Sequence, residues 1–560
     1  MKAAVSGAFV LLLGAVWLRP AATTEAAFRF EDVTQSSGIR FTTENGATPE
    51  KFLIETMGSG LGFLDFDSDG LQDLVFVNGG GKPGSAASRR DRLALYRNMG
   101  QGKFTDVTAR AGLRGDFATY GMGIATADYD NDGHPDLLVS GYPRSLLFHN
   151  NGDGSFTGVT AVSGVSNEGH WGTSAGWFDY DRDGRLDLVI ANYVADFSWD
   201  DPRYCGERKP GYRSYCHPDG FRGTSPTLFH NEGDGKFRDV TAESGILSKE
   251  GKCLGLVLAD LNGDGWPDIF VANDSTRNFL YINRGNGKFE EQGLLAGVAF
   301  SEDGRTEAGM GVDVADVDGD LRLDLYLTHL DRELNRLYRG NGKGTWFDAT
   351  VEAGLGKVTI RFSGFGVKFA DFDNSGRRHI LTANGHILDN IELYHSDVTY
   401  AEPLTLLEND GRGKFTDASR SLPAVHLIGR GLALADFDND GLLDFAVSQN
   451  VGSPLLVRNR SKAGHWIALR LEGAGKSNRD AIGAQVTIRA GGIRQVDQVA
   501  GASSYCSAQD SRVHFGLGPQ NRIETLEIRW PSGKTETHRD LAVDRTIRVT
   551  EGKGVVTQWR

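Results

Sequence analysis

Two short apolar runs flank a polar loop repeatedly along the chain. Before the loop stands a glycine-rich run: GSGLGFL, GMGIATA, GMGVDVA, GFGVKFA or GRGLALA. After it comes a β-branched or aromatic run such as LVFVN, LLVS, LVIAN or IFVAN. Runs this short, bounded by turn residues, predict strands rather than helices. Farther on comes a pair of runs joined by an N-x-G-x-G turn, as in LYRNMGQGKFTDVT, LFHNNGDGSFTGVT and LYINRGNGKFEEQ. Glycine supplies the positive φ that such a hairpin turn needs. Four strands and one polar loop per unit describe a propeller blade.

The polar loops read DFDSDGLQDL from Asp65, DYDNDGHPDL from Asp128, DYDRDGRLDL from Asp179, DLNGDGWPDI from Asp260, DVDGDLRLDL from Asp316, DFDNSGRRHI from Asp371 and DFDNDGLLDF from Asp436. Their starts are separated by 63, 51, 81, 56, 55 and 65 residues. The widest gap holds YCGERKPGYRSYC and predicts an insertion at about 193–226. The hairpin occurs six times and the acidic loop seven, while FRFEDVT stands alone at residues 28–34. The expected fold is therefore all-β: a seven-bladed β-propeller over 28–462, closed by its N-terminal strand, which removes open sheet edges. From about residue 464, WIALRL, GAQVTIRA, RVHFGLG, TLEIRW and TIRVTEG alternate apolar and polar positions. They predict a small β-sandwich-like domain over 463–552, with 553–560 as a tail.

Composition sharpens this outline. With 74 glycines and 15 prolines in 560 residues, the glycine belongs to turns rather than to a disordered or collagenous chain. Residues 1–27 hold Lys2, an apolar run from Ala3 to Leu18 and then small residues, the layout of a secretory signal. The run falls short of the about 20 residues of a spanning helix. A secreted, periplasmic or cell-surface location follows, with no membrane span in the mature chain. Cys205 and Cys216 are expected to pair in that oxidising compartment; Cys253 is expected to be a small core residue, and Cys506 has no evident partner. The formal charge is −14, and no basic stripe points to nucleic acid.

Four carboxylates within nine residues repel one another unless a cation sits among them. Oxygen ligands at loop positions 1, 3, 5 and 9, with a carbonyl at 7 and glycine at 6, suit Ca²⁺; magnesium, which keeps its waters, suits them less. The side-chain candidates are Asp65, Asp67, Asp69 and Asp73; Asp128, Asp130, Asp132 and Asp136; Asp179, Asp181, Asp183 and Asp187; Asp260, Asn262, Asp264 and Asp268; Asp316, Asp318, Asp320 and Asp324; and Asp436, Asp438, Asp440 and Asp444. Leu71, His134, Arg185, Trp266, Arg322 and Leu442 would supply the carbonyls. Position 12 is not Glu and strands flank the loop, which excludes an EF-hand. The sixth loop has Asp371, Asp373 and Ser375 but His379 at position 9, and is expected to be weak or empty. Leu321 replaces glycine in the fifth, where a strained turn is expected. About six calcium sites result, serving blade stability rather than catalysis.

The loops, with NDSTRNFLYINRGNGKF, EAGMGVDVADVDGDLRLDLYLT and TANGHILDN, resemble FG-GAP/VCBS repeats of integrin α-type propellers, and more closely the secreted cartilage acidic protein family. NRDAIGAQVTIRAGG, SSYCSAQDSRVHFGLG and IRWPSGKTET resemble an ASPIC/UnbV domain. The resemblance covers nearly all of 28–550. It implies a calcium-binding extracellular propeller with a role in adhesion, matrix or partner binding, and no established enzyme activity.

Other motifs are weaker. GTSAG at 172–176 fits G-x-S-x-G but stands where the inner strand of every repeat stands, before an acidic loop and not a helix. GAGKS at 473–477 lacks the first glycine of a phosphate loop. The positions five residues after loop position 9 (Asn78, Gly141, Asn192, Asn273, His329, Asn384 and Gln449) either cap turns or ring a ligand mouth. For such a mouth the candidates are Asn273, Asp274, Asn384, His386 and Asp389; none is assigned a catalytic role. Three functional classes stand: a scaffold for extracellular or cell-surface proteins, which is favoured; a calcium-dependent lectin stacking sugars on Tyr142, Phe197, Trp199 and Tyr204; and a polysaccharide-degrading enzyme.

Overall fold

The computed structural model describes residues 28–85 and 91–558, with side chains through residue 555. The segment read as a secretory signal lies outside the described residues. Seven antiparallel four-stranded meanders carry the acidic loops, each loop joining a first to a second strand. In the first sheet the strands are Leu61–Leu64, Asp73–Val77, Leu93–Asn98 and Phe104–Asp106. The other six begin at Tyr120–Ala127, Gly172–Phe178, Cys253–Ala259, Val312–Ala315, Gly364–Ala370 and Gly429–Ala435. Each of these inner strands packs on the next, and Gly429–Ala435 packs on Leu61–Leu64, so the ring is closed. The seventh sheet takes its outer strand from the other end of the chain: Phe30–Asp32 pairs antiparallel with Leu455–Asn459. This is the β-propeller closed by the N-terminal strand that the lone FRFEDVT implied.

The inner strands contain or adjoin glycines and are almost wholly buried because neighbouring sheets wedge together at the axis; Gly123, Gly255 and Gly311 lie where a Cβ would strike the backbone of the next sheet. Apolar clusters fill every gap between sheets, as with Leu64, Val75, Leu95, Leu137 and Phe148 between the first and second. Farther out, an asparagine ending the third strand bridges neighbours. Asn150 donates to the Phe66 carbonyl of the preceding sheet, and Asn231, Asn283, Asn409 and Asn459 repeat the bond to Tyr129, Tyr180, Val317 and Phe372. The fifth sheet has Gly340 instead, where a Cβ would lie 2.3 Å from the Leu323 carbonyl, and the Trp346 indole donates to that carbonyl in place of the amide.

Residues 465–558 form two further four-stranded sheets. One runs Val513–Gly518, His465–Glu472, Arg545–Thr550 and Gly554–Gln558; the other runs Ile493–Gln498, Gln485–Ala490, Arg522–Arg529 and Thr535–Ala542. Leu469, Val486, Phe515, Leu526 and Val549 lie between them in a cluster that continues into Trp177 and Leu188 of the third sheet. Residues 553–560 are not simply a tail: Gly554–Gln558 pairs with Arg545–Thr550 and completes a sheet. The Cys205–Cys216 disulfide is present and pins a two-stranded ribbon inside the third-sheet insertion. Cys253 and Cys506 are buried thiols. No helix among the described residues is long and apolar enough to cross a membrane.

Candidate functional site

The acidic loops are built alike from their own hydrogen bonds. The carboxylate at position 1 closes the turn: Asp65 accepts from the amides of Asp69 at 2.9 Å and Gly70 at 3.1 Å. Asp128, Asp179, Asp371 and Asp436 repeat both bonds. The carboxylate at position 9 begins the second strand and holds the third; Asp73 accepts from Phe66 at 3.1 Å and Asn98 at 2.7 Å. Position 6 is left-handed throughout, which glycine adopts freely. In the fifth loop Leu321 adopts it at φ 68°, the strained turn its sequence announced.

This register brings oxygens together. One atom each from Asp65, Asp67 and Asp73 lie within 4.8 Å of one another, as do Asp128, Asp130 and Asp132. In the first, fourth and seventh loops a buried carboxylate oxygen has no hydrogen-bond partner: Oδ1 of Asp67, Asp260 and Asp438. The Asp438 side chain is only 4% exposed. Burial, reinforced by neighbouring carboxylates, pushes Asp73, Asp128 and Asp179 up to about 8 and Asp136 to about 9. A cluster so reluctant to ionise is one that a bound cation would relieve.

The residue before the third-strand asparagine, unremarked in the sequence, points at the loop in most sheets. Arg97 holds Asp67 at 2.5 Å and Asp69 at 2.9 Å, gripping one oxygen of each while Oδ1 of Asp67 stays unpartnered. Arg458 does the same for Asp438 and Asp440. In the second and third loops a histidine takes this place: His149 Nδ1 lies 3.2 Å from Asp130 and 3.3 Å from Asp136, and His230 Nδ1 3.1 Å from Asp187. The sixth loop finds its partners within itself, and Arg377 reaches Asp373 at 3.3 Å. His379 Nδ1 accepts from the Asn409 amide, the role Asp73 plays toward Asn98, and its Nε2 faces Asp373 at 3.3 Å. The signal for these partners was the repeated L-x-x-N run, but only the register of the third strand shows which residue meets the loop.

The C-terminal domain sits on this face. Arg470 approaches Asp65 at 3.4 Å, Arg479 approaches Asp128 at 3.6 Å and Arg529 approaches Asp260 at 3.6 Å. Arg512 donates to the Asp436 carbonyl at 2.8 Å, and Asp480 accepts from the Asp128 amide at 2.7 Å. Its segment from Gly501 to Asp510 runs into the propeller axis. Gly501, Ser504 and Cys506 accept from Trp177, Val312 and Ile124, while Ser507–Ala508 pairs in parallel with Leu61–Gly62. Tyr505, fully buried, donates to the Met57 carbonyl at 2.6 Å.

The residues read as a ligand mouth have partners within the fold, although Oδ1 of Asp389 is buried without one. Asn192, Asn273 and Asn384 donate to carbonyls of their own repeats, at Ser225, Arg277 and Pro403. Asp274 accepts from the Tyr193 hydroxyl, His386 lies 3.1 Å from Asp331, and Asp389 pairs with Lys51. Of the four aromatics suggested for sugar stacking, Phe197 is buried and packs against Tyr142, Trp171 and Trp199; only Tyr204 is well exposed, at 44%.

Comparison with known proteins finds matches in both parts of the chain. A family model described as ASPIC and UnbV matches residues 473–556. An FG-GAP-like repeat model matches 65–139, 128–190, 220–271 and 260–327. Cartilage acidic protein 1 of Mus musculus is 26% identical over 532 residues, covering 88% of this chain and 73% of that protein. The Xenopus tropicalis and Homo sapiens proteins of the same name are 25% and 24% identical over 89% and 90% of this chain, which spans 65% and 64% of their lengths. Solved structures that align with this chain include an Agrocybe aegerita lectin recognising non-reducing terminal N-acetylglucosamine (16% identity, TM-score 0.38, covering 71% of this chain and 94% of that one). The BP39L lectin of Burkholderia pseudomallei aligns at 11% identity and TM-score 0.42, covering 73% and 97%.

Proposed function

We propose, from the premise that this chain is an FG-GAP-like repeat protein with an ASPIC and UnbV domain, that it is an exported calcium-binding propeller serving as an adhesion, matrix or protein-interaction scaffold. The observation that carries the calcium reading is the unpartnered, buried Oδ1 of Asp67, Asp260 and Asp438 in their acidic loops, with Asp65, Asp67 and Asp73 brought within 4.8 Å of one another. A buried polar atom left without a partner is costly, and a hard cation held by oxygens at positions 1, 3, 5, 7 and 9 would satisfy it. The cation would tie the first strand of a sheet to its second, since the ligands straddle both. The sixth loop, with the His379 imidazole facing Asp373, would take none.

Export is supported by the disulfide, which persists outside the reducing cytosol. With the acidic-loop face covered by the C-terminal domain, the opposite face, bearing the disulfide-pinned ribbon and exposed Tyr204, is left for a macromolecular partner. Native mass spectrometry of the mature chain with calcium and with chelator tests the cation reading; an unchanged mass would end it. Capture of extracellular proteins on the immobilised chain, with and without prior reduction of the disulfide, tests the scaffold reading.

A further inference from the structure

A cavity of about 320 Å³ lies between the acidic loops of the first two sheets and the C-terminal domain. Asp65, Gln72 and Asp128 line it from the propeller, and Trp466, Gln509 and Thr546 from the C-terminal domain. Two smaller cavities, of about 110 and 90 Å³, lie toward the axis, and Gln509 and Arg512 line all three. The volume is at the lower end of the range for small-molecule sites, about 300–1,000 Å³.

The charges on its wall nearly balance: Asp65, Asp128, Glu472, Asp480 and Asp544 stand against Arg470, Arg479, Arg512 and Arg545. Arg470 faces Asp65 at 3.4 Å and Arg479 faces Asp128 at 3.6 Å. A phosphate, sulfate or carboxylate entering here would meet Asp65, Asp128, Asp480 and Asp544; a cationic ligand would meet the arginines. Neither sign is favoured, so the ligand that fits is neutral.

The wall also carries uncharged polar groups, among them Gln72, Gln509, Ser511 and Thr546. Gln72 is only 7% exposed, yet its side-chain amide makes no hydrogen bond to any other described residue. The side chains of Gln509, Ser511 and Thr546, on the same wall, make none either. An amide offers two donors and an acceptor with two lone pairs, and these groups are open to whatever enters the cavity. Two unspent amides and two unspent hydroxyls, with an indole in the same wall, suit a ring that presents alternating donors and acceptors on its edge and C–H groups on its face.

We propose that this interdomain cavity binds a neutral saccharide of one or two rings, held by Gln72 from the propeller and by Gln509 and Thr546 from the C-terminal domain. The ligand would bridge the two domains, giving the C-terminal domain a role in recognition. This deepens the interaction reading above by naming the ligand class, and it rests on the chain being a binding protein.

The test is isothermal titration of the full mature chain, in calcium, with neutral hexoses, pentoses, N-acetylhexosamines and their disaccharides, alongside uronates and sugar phosphates. Gln72→Leu and Gln509→Leu keep the volume and remove the amides. The expected result is binding of a neutral sugar, weakened about ten-fold by each variant, with melting temperature unchanged. The inference is overturned if no neutral sugar binds at about 10 mM, if only charged sugars bind, or if both variants bind as the parent does. Calcium stoichiometry read on the same samples separates the two readings: a chain that binds calcium but no sugar loses only this inference.

Discussion

The side-chain amide of Asn98 donates to the main-chain carbonyl of Phe437 at 2.7 Å and to that of Gln72 at 3.0 Å. The first bond joins residues 339 apart in sequence and ties the first sheet to the last. The closed ring thus has a polar latch outside its apolar wedge. Asn98→Ala would leave both buried carbonyls unsatisfied and release the Gly100 amide from Asn98 Oδ1. The expected loss is about 2–3 kcal/mol, since each buried group left unpaired costs about 1–3 kcal/mol. Urea denaturation checks the size, and faster amide exchange around Phe437 checks the place. Gly340→Asn, by contrast, is expected to destabilise rather than add the missing latch, because its Cβ would strike the Leu323 carbonyl.

The loop carboxylates give the fold a pH dependence that metal should remove. Asp73, Asp128, Asp136 and Asp179 stand at about 8 to 9 in the metal-free fold, against an ordinary value near 4, through burial first and neighbouring charge second. A carboxyl raised on folding contributes stability that is complete below its unfolded pKa and lost as pH rises through its folded one. The chelated chain is therefore expected to become less stable between about pH 4 and pH 8, by several kcal/mol in order of magnitude. Saturating calcium should flatten the profile by favouring the ionised forms. Calorimetry at about pH 5 and pH 8, with and without chelator, measures it. A melting temperature that rises with pH in chelator would contradict this account.

Much of this architecture was legible because it repeats. Seven acidic loops in register gave the inner and second strands, and the orphan FRFEDVT gave the closure through Phe30 and Asn459. What stayed hidden depends on contacts between distant segments. Nothing local marks Arg97 or His149 as facing Asp67 or Asp130, because that depends on how the third strand is staggered against the loop. Likewise SSYCSAQD has no strand period, and its course along the axis is set by bonds to Met57, Val312 and Ser174, each far away in sequence. The asparagines after the second strand, which sequence left open between turn capping and a ring at a mouth, donate to carbonyls of their own repeats, up to 33 residues away.

Leu321 offers a gain rather than a loss. Its φ of 68° is one that a residue with a Cβ adopts at a cost of about 1–2 kcal/mol, and glycine occupies this position in the six sister loops. Leu321→Gly is expected to stabilise the chain by about 1 kcal/mol, after the greater flexibility of glycine in the unfolded chain is set against it. Thermal unfolding at fixed calcium would show it as a rise in melting temperature. A fall would mean that the Leu321 side chain holds contacts worth more than the strain.

The axial segment should decide whether the two domains unfold as one. Tyr505 is fully buried, stacks edge-on against Phe365 at 5.1 Å and bonds to Met57. Tyr505→Phe removes only the hydroxyl and should cost about 1 kcal/mol; Tyr505→Ala should cost about 3–5 kcal/mol, as for other buried aromatics. The place of the damage matters more than its size. The amides of Ile124, Trp177 and Val312 donate to this segment, whereas that of Leu95 donates to Thr108 within its own sheet. If the segment can leave the axis while the ring stays folded, Tyr505→Ala will speed exchange of the first three amides and leave Leu95 protected. If all four accelerate together, the plug and the ring form one cooperative unit, and the C-terminal domain is part of what keeps the propeller closed.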